Sequence, residues 1–446
     1  MRMNKIIRIA LFTLCLVLPM MPSTAFGAQH HHDETPIPKA NPNIKTGEKS
    51  TLQKLIDATE PGGILQLEGR TYRGSVVISK PITIQGEEDT KIASLATAIT
   101  ISNAENVVIQ NITIQAEDVA IFGEDVKNLL LKNIEVEQGT AGIQLTDSID
   151  INLNNVDITA GEGHFSTKGH AIAIYKSTNV QASDCDIWRV MDGFYIEHVD
   201  SVTLSNNRIK EGRYAVHMMY SDNVKVNDNK VTSNMTGLMI MVAKNVIITD
   251  NEIAKNNTLN SLGVYLYDDE DVSFYQNSLT ENTVAMSIEN TRMIEVSGNE
   301  FSANGTGIQA KRSGTLKVLE NEFYGNILTM RTDQEKVYLN HNYYDDYSGK
   351  DYDGDGIGDT KYIATNSFGQ WMVRKPVYQY FIESPSVVTL NLMDTEVIEE
   401  NSTLPVDMKP VAVNKHTGLA FSINGWQLGS SLLILIGILI IRRKLK

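Results

Sequence analysis

The chain has almost no cysteine. Only Cys15 and Cys185 occur in 446 residues, at no paired spacing. A disulfide framework and a cysteine-rich zinc site are therefore both excluded. Basic charge is also scarce: 39 Lys and Arg stand against 54 Asp and Glu, a net charge of −15. A nucleic-acid partner, which needs a basic face, is not expected. Long apolar runs are missing as well. Ile9–Leu18 and Trp426–Ile441 both fall short of the roughly 20 residues of a simple membrane span.

Each short run has flanks that give it a meaning. Lys5 and Arg8 precede the first, and Ala25-Phe26-Gly27-Ala28 follows it, the pattern of an export signal over 1–28. Trp426 and the basic end Arg442-Arg443-Lys444-Leu445-Lys446 extend the second. That run predicts a transmembrane anchor over 425–446 with its C-terminus cytoplasmic and the body outside. Between the ends, 29–49 reads as a polar, His-containing leader and 381–424 as an acidic, Pro-interrupted tether.

The body, 50–380, is repetitive. Ser50 to Ala58 predicts a short capping helix with Ser50 or Thr51 as N-cap. A small residue then opens an alternating strand at Ala98, Ala120, Gly142, Ala171, Gly193, Ala215, Gly237, Gly263, Ala285 and Gly307. The intervals are 22, 22, 29, 22, 22, 22, 26, 22 and 22. Apolar residues recur at positions one, three, nine, eleven and sixteen of each unit. Position fourteen is asparagine at Asn207, Asn229, Asn251, Asn277, Asn299 and Asn321, with Asn342 in a shorter last unit and Cys185 in the same slot. A fixed period of this length marks stacked repeats. Short strands with one polar residue at a fixed slot predict an all-β fold, a right-handed parallel β-helix of roughly 12 coils. Asparagines in register can stack inside and satisfy turn backbone, and Cys185 is then a buried structural thiol.

The register divides the side chains. Positions one and three face in, so positions two and four face out. His217, Met219, Met239 and Met241 thus form a square on the outer face of two adjacent coils, while Met218 points inward. Tyr175, Tyr195, Tyr265 and Tyr267 flank the square as a binding patch. Coils lie about 4.8 Å apart and alternate residues about 6.6 Å apart, within reach of flexible thioethers. Thioethers with an imidazole suit Cu(I) rather than hard cations. An apolar patch covered by a partner would use the same residues, and the two readings are compatible.

Two other clusters have chemistry to weigh. Asp351, Asp353, Asp355 and Asp359, with Gly356 at position six, resemble the first part of a Ca²⁺ loop, although Tyr362 stands where the bidentate Glu belongs. A glycosidase needs two carboxylates roughly 5 to 10 Å apart. The outward stripe offers Glu197 and Glu289, about 19 Å apart by coil spacing. Asp192 with Arg189 and His198 is nearer but unpaired with a second acid. No enzyme is expected, and no catalytic residue is assigned. A surface protein that binds or cleaves polysaccharide is the alternative.

Three segments narrow the class. Arg213-Tyr214-Ala215-Val216-His217-Met218-Met219-Tyr220-Ser221, then Gly237-Leu238-Met239-Ile240-Met241, then Asn342-Tyr343-Tyr344-Asp345-Asp346-Tyr347 leading into Asp353–Asp359 resemble the NosD family. Its members are CASH-type β-helix proteins that mature nitrous oxide reductase. The resemblance spans roughly 45–380 and implies an exported, non-enzymatic accessory protein that handles or presents copper. It also implies partners: an ABC transporter permease and ATPase, a copper chaperone and nitrous oxide reductase. Met218 replaces the family's usual tyrosine, and many members lack the anchor expected here.

Overall fold

The computed structural model describes residues 49–333, 337–365, 367–381, 384–390 and 404–412. The signal segment 1–28, nearly all of the 29–49 leader and the candidate anchor 425–446 lie outside them. Among the described residues no helix is long and apolar enough to cross a membrane.

The fold is all-β, a right-handed parallel β-solenoid of about 13 turns with a short helix at its start. A typical coil has three strands, such as Asp192–Glu197, Asp200–Ser205 and Arg208–Lys210, and each pairs in parallel with its counterpart one coil later. The turn count exceeds the 12 expected because the first coils escape the 22-residue period. Ile64 pairs with Thr83, and Thr83 with Val108.

Alternation of apolar and polar residues places Val216, Met218, Leu238, Ile240, Val264 and Leu266 in the interior, at 0–1% exposure. Positions one and three face in, as the period demands. Asn207, Asn229, Asn251, Asn277, Asn299, Asn321 and Asn342 are buried in one column. Asn251 is typical. Its Oδ1 accepts from Asn229 N and Nδ2, each at 2.9 Å, and its Nδ2 donates to Val226 O, Thr249 O and Asn277 Oδ1. One side chain thus satisfies backbone on its own coil and on a neighbouring one, which three-stranded turns would otherwise bury unpaired. Cys185 lies below the column, 2% exposed, and its N–H donates to Asn207 Oδ1. Burial pushes its thiol up to about 12. A second amide ladder, which the period alone did not bring out, runs through Asn234, Asn256, Asn282, Asn304 and Asn326.

Corner residues at position five are left-handed in every coil from Lys176 through His198, Tyr220, Val242, Asp268 and Asn290 to Arg312, with φ between 46° and 57°. The coil path imposes this conformation whatever residue sits there. Val242 is the costly case, because a β-branched side chain is poorly suited to positive φ.

Both ends of the solenoid are closed. Ser50 caps the helix Thr51–Ala58 by accepting from Gln53 N, and Leu52 and Ile56 bury against the first coil. Gln53 also exchanges hydrogen bonds with Val77 N and O, satisfying sheet backbone at that end. At the far end the 381–424 stretch is not all linker. Val406–Asp407 pairs antiparallel with Tyr362–Ile363, and Leu339 pairs with Asp407. Asp407, fully buried, accepts from Asn342 N and Nδ2 and from Tyr344 Oη. A carboxylate from outside the repeat therefore terminates the asparagine ladder.

Candidate functional site

The strands Asp192–Glu197, Tyr214–Met219, Thr236–Met241 and Leu262–Tyr267 lie side by side in parallel. Their pairing aligns Tyr195, His217, Met239 and Tyr265 in one outer column. Glu197, Met219, Met241 and Tyr267 form the next, and Tyr175 precedes Glu197 in it. The four residues of the square are therefore nearest neighbours, with Tyr265 and Tyr267 on one flank and Tyr195 and Glu197 on the other. Tyr175, expected there, is one coil further out because Glu197 intervenes. The face is shielded: Met239 is 8% exposed, Met241 5% and the His217 side chain 12%, while Met219 is half-buried. At Gly237, which opens the second methionine strand, an added Cβ would lie 2.4 Å from Gly263 O. Close coil approach thus fixes where Met239 and Met241 project.

A second group stands against the square, and sequence reasoning missed its membership. Asp192, fully buried, receives Arg213 through Nε at 2.8 Å and Nη2 at 2.7 Å. His217 Nδ1 lies 3.2 Å from its Oδ2. His170 Nδ1 reaches the same oxygen from the preceding coil at 3.3 Å, without hydrogen-bond alignment. The expected grouping of Asp192 with Arg189 and His198 does not occur. Arg189 pairs with Glu211, and His198 stacks on Tyr220 at 4.8 Å. His170, Asp192 and Tyr214 immediately precede the small residue of their coils, whereas Arg189 and His198 sit on left-handed corners. The usable signal was the 22-residue spacing of His170 from Asp192.

Aromatic rings surround the pair. Tyr195 lies 4.4 Å from His170 and 5.0 Å from His217, and Tyr214 meets His217 edge-on at 5.0 Å. Burial alone would raise the Asp192 carboxyl, but the contacts from His170, His217 and Arg213 reverse this and hold it well below the usual range. Burial also pushes the His217 imidazolium down, outweighing the pull of Asp192. Burial, with Glu197 and Asp192 nearby, pushes Tyr175 up to about 12. An imidazole beside three thioethers is chemically a set of soft to borderline donors, with Glu197 next to Met219 and Asp192 against the ring.

The outward acids are engaged in local pairs. Tyr195 Oη donates to Glu197 at 2.9 Å, and Glu289 accepts from Lys311, Arg312 and Tyr265. In the acidic loop Asp351, Asp353 and Asp359 bring one carboxylate oxygen each within 4.8 Å of the others. Asp355 is not in that group; its Oδ1 accepts from Ile357 N. Tyr362, at the position a bidentate Glu would fill, stacks on Tyr344 at 3.7 Å and donates to Asp346.

Fold and columns define the class first: residues 72–191 match the right-handed beta helix region. Residues 154–356, which contain the square, its flanks and the start of the acidic loop, match the periplasmic copper-binding protein (NosD) family. The two matches together support a NosD-family parallel β-helix protein. No curated protein matches it. Several solved structures are similar to the chain at low identity. The family 28 exopolygalacturonase of Yersinia enterocolitica is 11% identical, with 64% of this chain and 74% of that one covered and a TM-score of 0.48. The AlgE6 A-module, a mannuronan C-5 epimerase of Azotobacter vinelandii, is 14% identical over 65% and 87%, at 0.46. The periplasmic alginate epimerase AlgG is 12% identical over 65% and 81%, at 0.48.

Proposed function

We propose that this protein handles or presents copper outside the cytoplasm as a non-enzymatic accessory in the maturation of nitrous oxide reductase. Its working partners would be an ABC transporter permease and ATPase, a copper chaperone and the reductase, with the 425–446 run holding the body at the membrane. The observation that carries the reading is the strand register. It makes His217, Met219, Met239 and Met241 neighbours inside the span matched by a copper-binding family. Copper is cargo in this reading. Thioether and imidazole donors favour Cu(I) over hard, strongly hydrated ions. The distribution of carboxylates supports a non-enzymatic role, because Glu197 and Glu289 are each held in separate local pairs.

The test is titration of the exported chain with Cu(I) against a chromophoric competitor. Wild-type protein should bind, and the triple variant Met219→Leu, Met239→Leu, Met241→Leu should lose most of that affinity. Equal binding by the triple variant would remove the site. A second reading, polysaccharide binding or cleavage, draws on the Asp192–His217 pair beside Tyr195, a set capable of moving a proton. It predicts turnover of anionic glycans that disappears in Asp192→Asn, and an inactive wild-type chain would end it.

A further inference from the structure

We infer that Asp192 is the positioning residue of the copper contact: it fixes the His217 ring so that Nδ1 carries the proton and Nε2 is left as the donor atom. This rests on the copper reading above and adds its second layer. The geometry is built rather than incidental. Asp192 is fully buried, one coil away from His217, and both of its oxygens are occupied by the Arg213 fork. An arginine pairing of this kind keeps the carboxylate anionic and fixes its plane. An anionic carboxylate can only accept, so the His217 Nδ1 at 3.2 Å from Oδ2 must be the protonated nitrogen. In the neutral ring the other nitrogen carries the free lone pair. Tyr195 and Tyr214 both contact the ring edge-on, at 88° and 78°, which restricts its rotation about the hydrogen bond.

A ligating imidazole commonly donates its other N–H to a carboxylate, which sets the tautomer and raises donor basicity. His170 Nδ1 lies 3.3 Å from the same Oδ2, from the opposite neighbouring coil, without hydrogen-bond alignment. Simple structural bracing would explain the Arg213 pair, but it would not require a histidine, nor fix which of its nitrogens is protonated.

The experiment uses the full chain in two measurements. Nitrogen NMR of the copper-free wild type should show His217 protonated at Nδ1. The Nε2-protonated form there would overturn the inference without any variant being made. Cu(I) titration should then show Asp192→Asn weakened by about 10- to 100-fold, with Asp192→Glu recovering part of the loss and X-ray absorption showing fewer nitrogen neighbours at the bound metal in Asp192→Asn. Unchanged affinity and an unchanged tautomer in Asp192→Asn would overturn the positioning role while the copper reading stands. Failure of the wild type to bind Cu(I) at all would instead bring down the reading on which it rests.

Discussion

Two columns of the same solenoid obey opposite rules. Along the inner ladder from Asn207 to Asn342 every coil repeats the chemistry of the one before it. Along the outer column the residue changes each time, from Ala173 through Tyr195, His217, Met239 and Tyr265 to Ser287 and Gln309. Interior repetition is demanded by the backbone, whose turn groups recur in every coil and must be satisfied. The outer face has no such demand. A change of residue there is free to serve something outside the fold, and the concentration of soft donors over two coils is the clearest such change.

The comparison predicts a graded set of effects. Breaking the inner ladder should hurt most. Asn251→Leu would orphan Asn229 N, at about 1–3 kcal/mol, and take one donor from each of the carbonyls of Val226 and Thr249, the second of which keeps Asp228 N. Urea unfolding should therefore show a loss of roughly 3 kcal/mol. At the end of the ladder Asp407→Ala removes one shared acceptor from Asn342 and Tyr344. A loss of about 2 kcal/mol should accompany faster proteolysis near 404–412. The outer column should behave differently, with each Met→Leu exchange at 219, 239 or 241 costing less than about 1.5 kcal/mol while copper binding falls.

Asp269 tests the boundary between the rules. It occupies the buried slot that holds Ser148, Ser177, Ser221 and Thr291 in other coils, and its Oδ2 has no hydrogen-bond partner. Burial raises its carboxyl well above the ordinary value, despite hydrogen bonds from backbone N–H groups. The proton is then held in the folded state and lost in the unfolded one. Its stabilising contribution is full below the ordinary carboxylate pKa and is lost as pH rises through the folded pKa. The slope is at most about 1.4 kcal/mol per pH unit. Asp269→Asn should flatten that slope in denaturation midpoints measured across pH, and an unchanged slope would assign the dependence elsewhere. The smallest effect is expected at Val242, where φ is +54°. Asn tolerates this conformation, so Val242→Asn should raise the unfolding free energy from urea titration by roughly 1 kcal/mol, without replacing a residue of the square.

Much of this was legible in the chain because a period of 22 turns one dimension into columns. The parity of each strand then separated Met218, fully buried, from Met219 on the same strand. His217 and Met239 were readable as neighbours for the same reason. The Asp192 group was harder. Its members lie 21, 22 and 25 residues apart and cross a corner, where the alternation of faces restarts and strand parity no longer predicts direction. Asp407 was not legible at all, since it is 65 residues from the asparagine it completes.

What the sequence alone determined is the repeat, its inward and outward faces, and the soft character of one outer patch, because each depends only on local alternation and a constant coil length. Tertiary structure decided the rest. It placed a buried carboxylate, clamped by Arg213, behind His217, and it closed the ladder with Asp407. Both depend on where the backbone turns in space, and a column of letters does not specify that direction.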